Sequence, residues 1–519
     1  MTTSTNAGQG ATRRAASPRA TRANAAVELG IAPLTSADIS AIAHGARVTI
    51  APHAAERIRQ ARALVQKALH GRAAIYGLNT GLGANVDTPL TSEQLVSFQV
   101  SVTRSHRAAV GPNLDTLHVR ALMATRLAEI AHGGAGVSPA VAQAIANALN
   151  AGFHPVVPAL GSVGAADLSP LAQIANALIG EGEAEFHGTV MPAAQALKAA
   201  GLVPMPIAEK DGHSFVVANS YSVGSACLSL RQLRAAFEWS LKAVALNYEA
   251  FLCNLRILDQ DALAARPAFG QVEVGAELRK LMEGSRLWDY SRARRLQDPL
   301  SYRCVPQIWG ALHHAINEAD LITDIELSHP TENPVITEGG RIIPTANFDL
   351  TAFAQSWERL DLALSNCASA TTYRISKIMS HGLTDLPRFL TLHAGNAGFG
   401  QIQRSASALD AEIRHLALPV SFDPIAVSDA IEDEASMAPR VIAKTDEIVE
   451  RWWILIAIEL ISSAQAVDLR GAKAALGTGA REAYEFVRTY SVFLDEDRAL
   501  GPEVTSIAQA MRSRAVPSV

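Results

Sequence analysis

Aromatic side chains are scarce in this chain: Phe, Trp and Tyr make up 5% of its 519 residues. Strands draw on aromatic and β-branched residues, so an aromatic-poor chain rich in Ala and Leu is expected to be helical. Cysteine is scarcer still. Cys227, Cys253, Cys304 and Cys367 stand far apart, with no Cys-x-x-Cys pair and no Cys/His spacing. That argues against a disulfide framework and offers no zinc-type ligand set; reduced core thiols, no metal and a cytoplasmic location are expected. Positive charge is not in excess either. With 45 Lys and Arg against 50 Asp and Glu the formal net charge is −5, which gives no basic footprint for nucleic acid. Long uncharged apolar runs are missing as well. The run Trp452–Ile458 is closed by Arg451 and Glu459, so no membrane span is expected.

What is present is enough apolar material, 49% of residues, for a large core. The first stretch carries Arg13, Arg14, Arg19 and Arg22 among Ser, Thr and Ala without acids, and residues 1–28 read as a disordered extension. Residues 29–213 form a first region. Ser36 is a candidate cap for a short helix ending near Gly45, and a helix is expected over Ala54–Leu69. Others follow over Ser92–Val102 and Leu114–Ile130, and Ser138-Pro139 opens one that stops at Gly152. Residues 214–480 read as a helical bundle. The apolar-periodic run Ser214–Cys253 has hydrophobic residues on several faces, as a buried helix does, and Thr351–Ile378 is another long helix. Residues 481–519 form a helical tail that frays.

Two stretches break this helical pattern with chemistry in them. In Gly161–Leu171, GSVGAADLSPL, the glycines permit a tight turn. Ser169 and Pro170 then read as N-cap and first residue of a helix stopped by Gly180. A helix N-terminus beside an exposed turn favours negative charge. In Ile75–Gly83, IYGLNTGLG, the Asn-Thr-Gly run is a loop with Tyr76 at its edge.

Together these motifs resemble those of the histidine and aromatic amino-acid ammonia-lyases. That family reads GSVG-Ala-Ser-Gly-Asp-Leu-x-Pro-Leu, and its Ala-Ser-Gly triad cyclises to a methylidene-imidazolone that captures the substrate. This chain has Ala165-Ala166-Asp167, one residue shorter and without the serine. The methylidene comes from a serine and the ring closes through a glycine nitrogen, so no such cofactor is expected. The YGxNTGxG motif makes Tyr76 the catalytic base by resemblance. SHRAAVG places His106 against the substrate ring, as in histidine-specific members. QDPLSYRCVPQ puts Arg303 on the substrate carboxylate, where a bidentate donor is suited; the family's tyrosine there is Leu300, and Tyr302 takes a leucine position. Asn219 matches an asparagine of the site, Asn333 follows from Glu332-Asn333-Pro334, and Asn347-Phe348-Asp349 stands for Asn-Phe-His. That makes Asn219, Asn333, Phe348 and Asp349 candidate substrate contacts. Arg404 replaces an apolar residue at the ring, and Glu432 retains the glutamate that histidine lyases aim at the imidazole. A charge pair in an apolar pocket needs a reason.

The resemblance implies an all-α, ammonia-lyase/fumarase-type bundle of long helices. It also implies a homotetramer whose sites draw on three chains, with Tyr76 and Arg303 on other chains than the Gly161 loop. Without the electrophile the nitrogen must leave unaided, and a trimethylammonium does so as a neutral amine. A phenol, ordinarily near pKa ~10, must then be made basic enough to take the β-proton, while Arg404 stabilises charge on the ring. A zwitterionic histidine betaine with a thione ring meets these demands. The ergothionase branch of the superfamily lacks the prosthetic group and turns ergothioneine into thiourocanate and trimethylamine. The alternatives are an ammonia-lyase with another electrophile and a non-catalytic binding protein.

Overall fold

The computed structural model describes residues 26–71, 74–422 and 426–514. The chain enters on β1 (Val27–Leu29) and, after α1 (Ser36–Ala43), returns as β2 (Val48–Ile50) in parallel pairing. The extension expected over 1–28 thus ends in a strand, and residues 1–25 lie outside the described residues. Thr35, not Ser36, opens α1. Its N–H donates to Asp38 Oδ2 at 3.0 Å, while Ser36 Oγ donates to Asp320 at 2.7 Å. Next come α2 (Pro52–Leu69), the Tyr76 loop, α3 (Gln94–Ser105), β3 (Val110–Asn113) and α4 (Thr116–Ala131). α5 (Pro139–Ala151) starts behind Ser138 and stops at Gly152, which takes φ +75° as a glycine can. β4 (Phe153–Pro155) and β5 (Pro158–Leu160) lead to the Gly161 loop and α6 (Leu168–Leu178). β6 (Glu183–Phe186), β7 (Thr189–Pro192) and α7 (Ala193–Ala199) follow. Antiparallel pairings β3–β5 and β4–β6–β7 brace the loop's approach.

The run expected as one helix from Ser214 to Cys253 is two. α8 (Asp211–Val216) ends, the chain turns through Val217–Asn219, and α9 (Ser220–Phe251) begins. Beyond α10 (Gln260–Ala264), α11 (Gln271–Leu281) and α12 (Leu300–Arg303), α13 (Val305–Ser328) leads to the hairpin of β8 (Val335–Ile336) and β9 (Ile342–Ile343). α14 (Thr351–Ile378), α15 (His381–Thr384), α16 (Ile402–Leu416), α17 (Ala438–Leu469), α18 (Thr478–Tyr490) and α19 (Gly501–Arg514) complete the chain. α17 packs on α9 and α14, α13 on α14, and α4 on α9, so the long helices form the bundle. One continuous apolar core runs from Leu29 to Met511, across the boundary expected at 213/214, which falls inside α8. Against the sequence expectation, α17 is long and apolar enough to span a bilayer: its most apolar 18 residues have mean hydropathy 1.4, and 83% of that window is buried inside the fold.

The core carries charge. Arg374 on α14 donates through Nε and Nη2 to both oxygens of Glu459 on α17, at 2.6 and 2.9 Å, and both side chains are buried. Arg374 also donates to Ser301 O at 3.1 Å and lies over the Trp309 ring, tying α12 to the bundle. Removing one partner of such a pair strands a buried charge. Glu459→Ala is therefore expected to destabilise the protein by about 3–5 kcal/mol in chemical denaturation. The double variant Glu459→Ala/Arg374→Met, which removes both charges, is expected to recover much of that loss.

Candidate active site

The Gly161 loop is held from all sides. Met437 N donates to Val163 O and Ser436 Oγ to Gly164 O, each at 2.8 Å, so the segment before α17 lies along it. A Cβ at Gly164 would stand 2.4 Å from Ser436 Oγ, which requires glycine. Ala165 pairs with Asp349 in an isolated antiparallel bridge. Asp167 N donates to Ala218 O at 2.7 Å, and the Asp167 carboxyl accepts from Ser162 Oγ at 2.7 Å and Ser222 N at 2.8 Å. Burial raises the Asp167 pKa against the effect of these donors. Asp167, not Ser169, precedes the first helical residue of α6; Ser169 lies within the helix and is buried. The fixed anchor at Asp167 N starts the helix before Ser169 is reached.

These residues do not fit a methylidene-imidazolone. Between Gly164 and Asp167 stand two alanines, with no hydroxyl to eliminate and no glycine. Asp167 N–H is engaged with Ala218. Ala166 sits at φ +63°, a left-handed conformation that disfavours a side chain by roughly 1–2 kcal/mol and persists because its neighbours are anchored.

Tyr76 is half-buried, and its hydroxyl accepts from Gly83 N at 3.2 Å. A Cβ on Gly83 would lie 2.7 Å from Ser428 Oγ and 3.7 Å from Glu432 Oε1, so this loop meets the Glu432 segment. Glu432 is half-buried, with its backbone bridged to Val427. The Tyr76 ring meets His213 of α8 edge-on, with centroids 5.5 Å apart. α8 leads directly to Ala218, which holds Asp167, so the helix that packs on Tyr76 also anchors the end of the Gly161 loop. His106 ends α3, and its Nδ1 lies 2.8 Å from Val102 O. A carbonyl only accepts, so Nδ1 donates to it and Nε2 is the ring nitrogen left to meet a ligand.

Asn219 sits fully buried in the α8–α9 turn, both a helix-terminal residue and a neighbour of the loop. Its Nδ2 donates to Phe348 O at 2.9 Å and its Oδ1 has no partner. Phe348 is half-buried; Asp349 is exposed and accepts from Thr351 N and Oγ1 at 3.1 and 3.0 Å, at the entry of α14. Asn333 accepts from Thr345 N at 3.0 Å and orders the loop after β9. Arg303, half-buried on α12, donates to Gln297 Oε1 at 2.9 Å. Tyr302 is turned into the core and Leu300 is 65% exposed beside Arg303, which makes that surface less polar. Arg404 is exposed in the first turn of α16. Among the described residues no ion pair joins Arg404 to Glu432, so the two charges do not form a structural salt bridge within one chain, and no hydrogen bond links Arg303 or Arg404 to Tyr76 or the loop.

A buried polar layer escaped the sequence reading. His213 is fully buried with Nδ1 unpartnered; burial, with Lys210 and His106 adding, lowers its pKa well below the ordinary value and keeps the ring neutral. The sign of its presence was Gly77 beside Tyr76, where a Cβ would stand 2.2 Å from the imidazole. Beneath it Lys210 donates to Ala135 O at 2.7 Å and Ser214 Oγ at 2.5 Å, its pKa pushed down to about 8 by burial. Arg126 donates to Glu129 at 2.9 Å, Glu332 at 3.2 Å and Ser214 O. Ser220 Oγ donates to Glu129 at 2.6 Å, linking this layer to the start of α9.

The aromatic amino acid lyase family model matches residues 34–489. A probable histidine ammonia-lyase of Halobacterium salinarum is 34% identical over 498 residues, which cover 92% of this chain and 95% of that protein. The histidine ammonia-lyase of Deinococcus radiodurans is 33% identical, with 90% of each chain covered. Among solved structures, the ergothioneine-degrading ergothionase of Treponema denticola, in complex with desmethyl-ergothioneine sulfonic acid, has a TM-score of 0.90 at 30% identity, covering 95% of this chain and 100% of that one. The tyrosine aminomutase of Streptomyces globisporus has a TM-score of 0.89 at 27% identity, covering 95% and 98%.

The composition of the loop sets a direct expectation. The intact mass of the purified protein should show no loss of two waters assigned to the peptide containing Gly161–Leu171. A dehydrated loop would mean that the ring closes through other atoms than the family's.

Proposed function

Because this chain belongs to the aromatic amino acid lyase family and is a carbon–nitrogen lyase, we propose that the nitrogen it releases is quaternary: it eliminates trimethylamine from ergothioneine, giving thiourocanate, without a prosthetic electrophile. The observation that carries this reading is the loop itself. Ala165-Ala166-Asp167 cannot supply the group that makes ammonia a leaving group, while the tyrosine of the YGxNTGxG motif is kept as Tyr76, its ring against His213 of α8. A trimethylammonium needs no such help. The likeness to ergothionase supports the same choice.

In the reaction Tyr76 takes the proton from Cβ, its electron pair forms the double bond to Cα, and the Cα–N pair leaves with trimethylamine. Arg303 holds the carboxylate in its planar fork. His106 Nε2 accepts from a ring N–H and Glu432 from the other ring nitrogen. Arg404 faces the charge that spreads from Cβ into the thione ring, where a preorganised cation is effective. In a single chain Arg303 and Arg404 have no bond to the Tyr76 side, and in a homotetramer they complete the site from neighbouring chains.

The names of the sequence relatives favour a second reading, in which histidine is the substrate. Incubating the protein with ergothioneine and with histidine separates the two. A conjugated acrylate chromophore and trimethylamine from ergothioneine alone is the expected result; urocanate from histidine at a comparable rate would overturn the proposal.

Two variant experiments follow. Arg404→Leu is expected to lose about 10²–10³ of kcat with a smaller change in KM, and Arg404→Lys to keep part of it, as trimethylamine release reports. Near-normal kcat in the leucine variant would leave Arg404 without its role. Inactive Tyr76→Phe and Arg303→Ala proteins, mixed under subunit exchange, should regain activity if the two residues act from different chains; a fully active monomer in light scattering would refute the shared site.

A further inference from the structure

The substrate reading above leaves the trimethylammonium group without an assigned partner. Resting on that reading, the geometry points to Phe348 and Asp349, backed by Asn219, as the subsite that receives a quaternary ammonium against the Gly161 loop. The first observation is placement. Asp349 is the backbone partner of Ala165 in an isolated antiparallel bridge, which sets the Phe348–Asp349 turn directly against the Gly161 loop. The loop residues at that contact are Ala165 and Ala166, whose methyl groups neither donate nor accept hydrogen bonds.

The second observation is charge. The Asp349 carboxylate is bonded only to Thr351 and forms no ion pair among the described residues. Nearby on α13, Glu326 has its carboxyl pushed up to about 7 by burial, with the charges of Glu129 and Asp349 adding to the effect. Negative charge is crowded there. Arg126, the cation that pairs with Glu129, is already shared with Glu332 and Ser214 O.

The third is the unpartnered acceptor. Asn219 is fully buried, fixes Phe348 through its Nδ2, and leaves Oδ1 without a partner beside that residue. A primary ammonium carries three donors and demands as many acceptors; a quaternary ammonium carries none and is held by field, contact and aromatic faces. Small apolar walls, an aromatic ring and an uncompensated carboxylate suit the second kind of cation. The histidine that the family carries at position 349 would not supply that fixed negative charge.

The subsite predicts which kinetic constant moves. The nitrogen is cationic in the bound substrate and neutral once it has left, so Asp349 binds the ground state more tightly than the transition state. Asp349→Asn keeps an acceptor for Thr351 N, and with it the entry to α14. In that variant KM for ergothioneine should rise roughly tenfold while kcat does not fall and rises to the extent that the lost contact was confined to the ground state. Thiourocanate, which has no ammonium, should bind as it does to the unaltered protein. Tetramethylammonium carries the charge with neither ring nor carboxylate, and its binding, read by saturation-transfer NMR on the full-length protein, should disappear in Asp349→Asn and weaken in Phe348→Leu. Undiminished tetramethylammonium binding in Asp349→Asn, or equal weakening of thiourocanate and ergothioneine, would overturn the subsite. If ergothioneine is not turned over at all, the substrate reading falls, and the tetramethylammonium comparison still decides the subsite by itself.

Discussion

The Asp167 carboxyl, fully buried at the start of α6, is the contact on which the rest of the site depends. It binds Ser162 at the entrance of the loop and Ser222 in the first turn of α9, while its own N–H is bonded to Ala218 in the turn between α8 and α9. A buried carboxyl without partners is strongly unfavourable, so these bonds are obligatory to the fold. They fix the starts of two helices and the end of a third at one point. α8 brings His213 and, through it, Tyr76. The turn brings Asn219 and, through it, Phe348. Each candidate group on this side of the site is one or two contacts from Asp167.

That anchoring has a chemical consequence. A loop tied at Val163, Gly164, Ala165 and Asp167 has no slack, and Ala166 is held in a conformation that alanine disfavours. The loop acts as a wall. A wall suits a substrate whose nitrogen is already a good leaving group, and the reaction then turns on the base, the ring and the carboxylate grip. The neutral His213 against the Tyr76 ring excludes water from that side without adding a charge.

Much of this was legible in the sequence where a local rule operates. Ser138-Pro139 and Gly152 bound α5, α14 spans Thr351–Ile378, and the glycines of both motifs mark turns. Rules failed where a distant partner decides. Ser169 looks like a cap, but Asp167 is fixed by Ala218, so the helix starts earlier. Apolar periodicity continues through Val217 and Ala218, which hides the break that Asn219 and Asp167 impose. Arg374 and Glu459 are remote in sequence, and nothing local to either announces their pairing. His213 left its trace only in the glycine opposite it. Arg404 rides on α16 while Glu432 lies in the bridged segment before α17, and spacing does not encode how those two are set.

Nucleophiles that attack a methylidene-imidazolone test most directly whether this lyase works without an electrophile in its loop. Purified protein would be treated with borohydride or cyanide, the reagent removed, and trimethylamine release from ergothioneine compared with that of untreated protein. A lyase without the electrophile releases trimethylamine at the same rate in both. Progressive loss of activity, protected by substrate and traced to a labelled residue between Gly161 and Leu171, would contradict it.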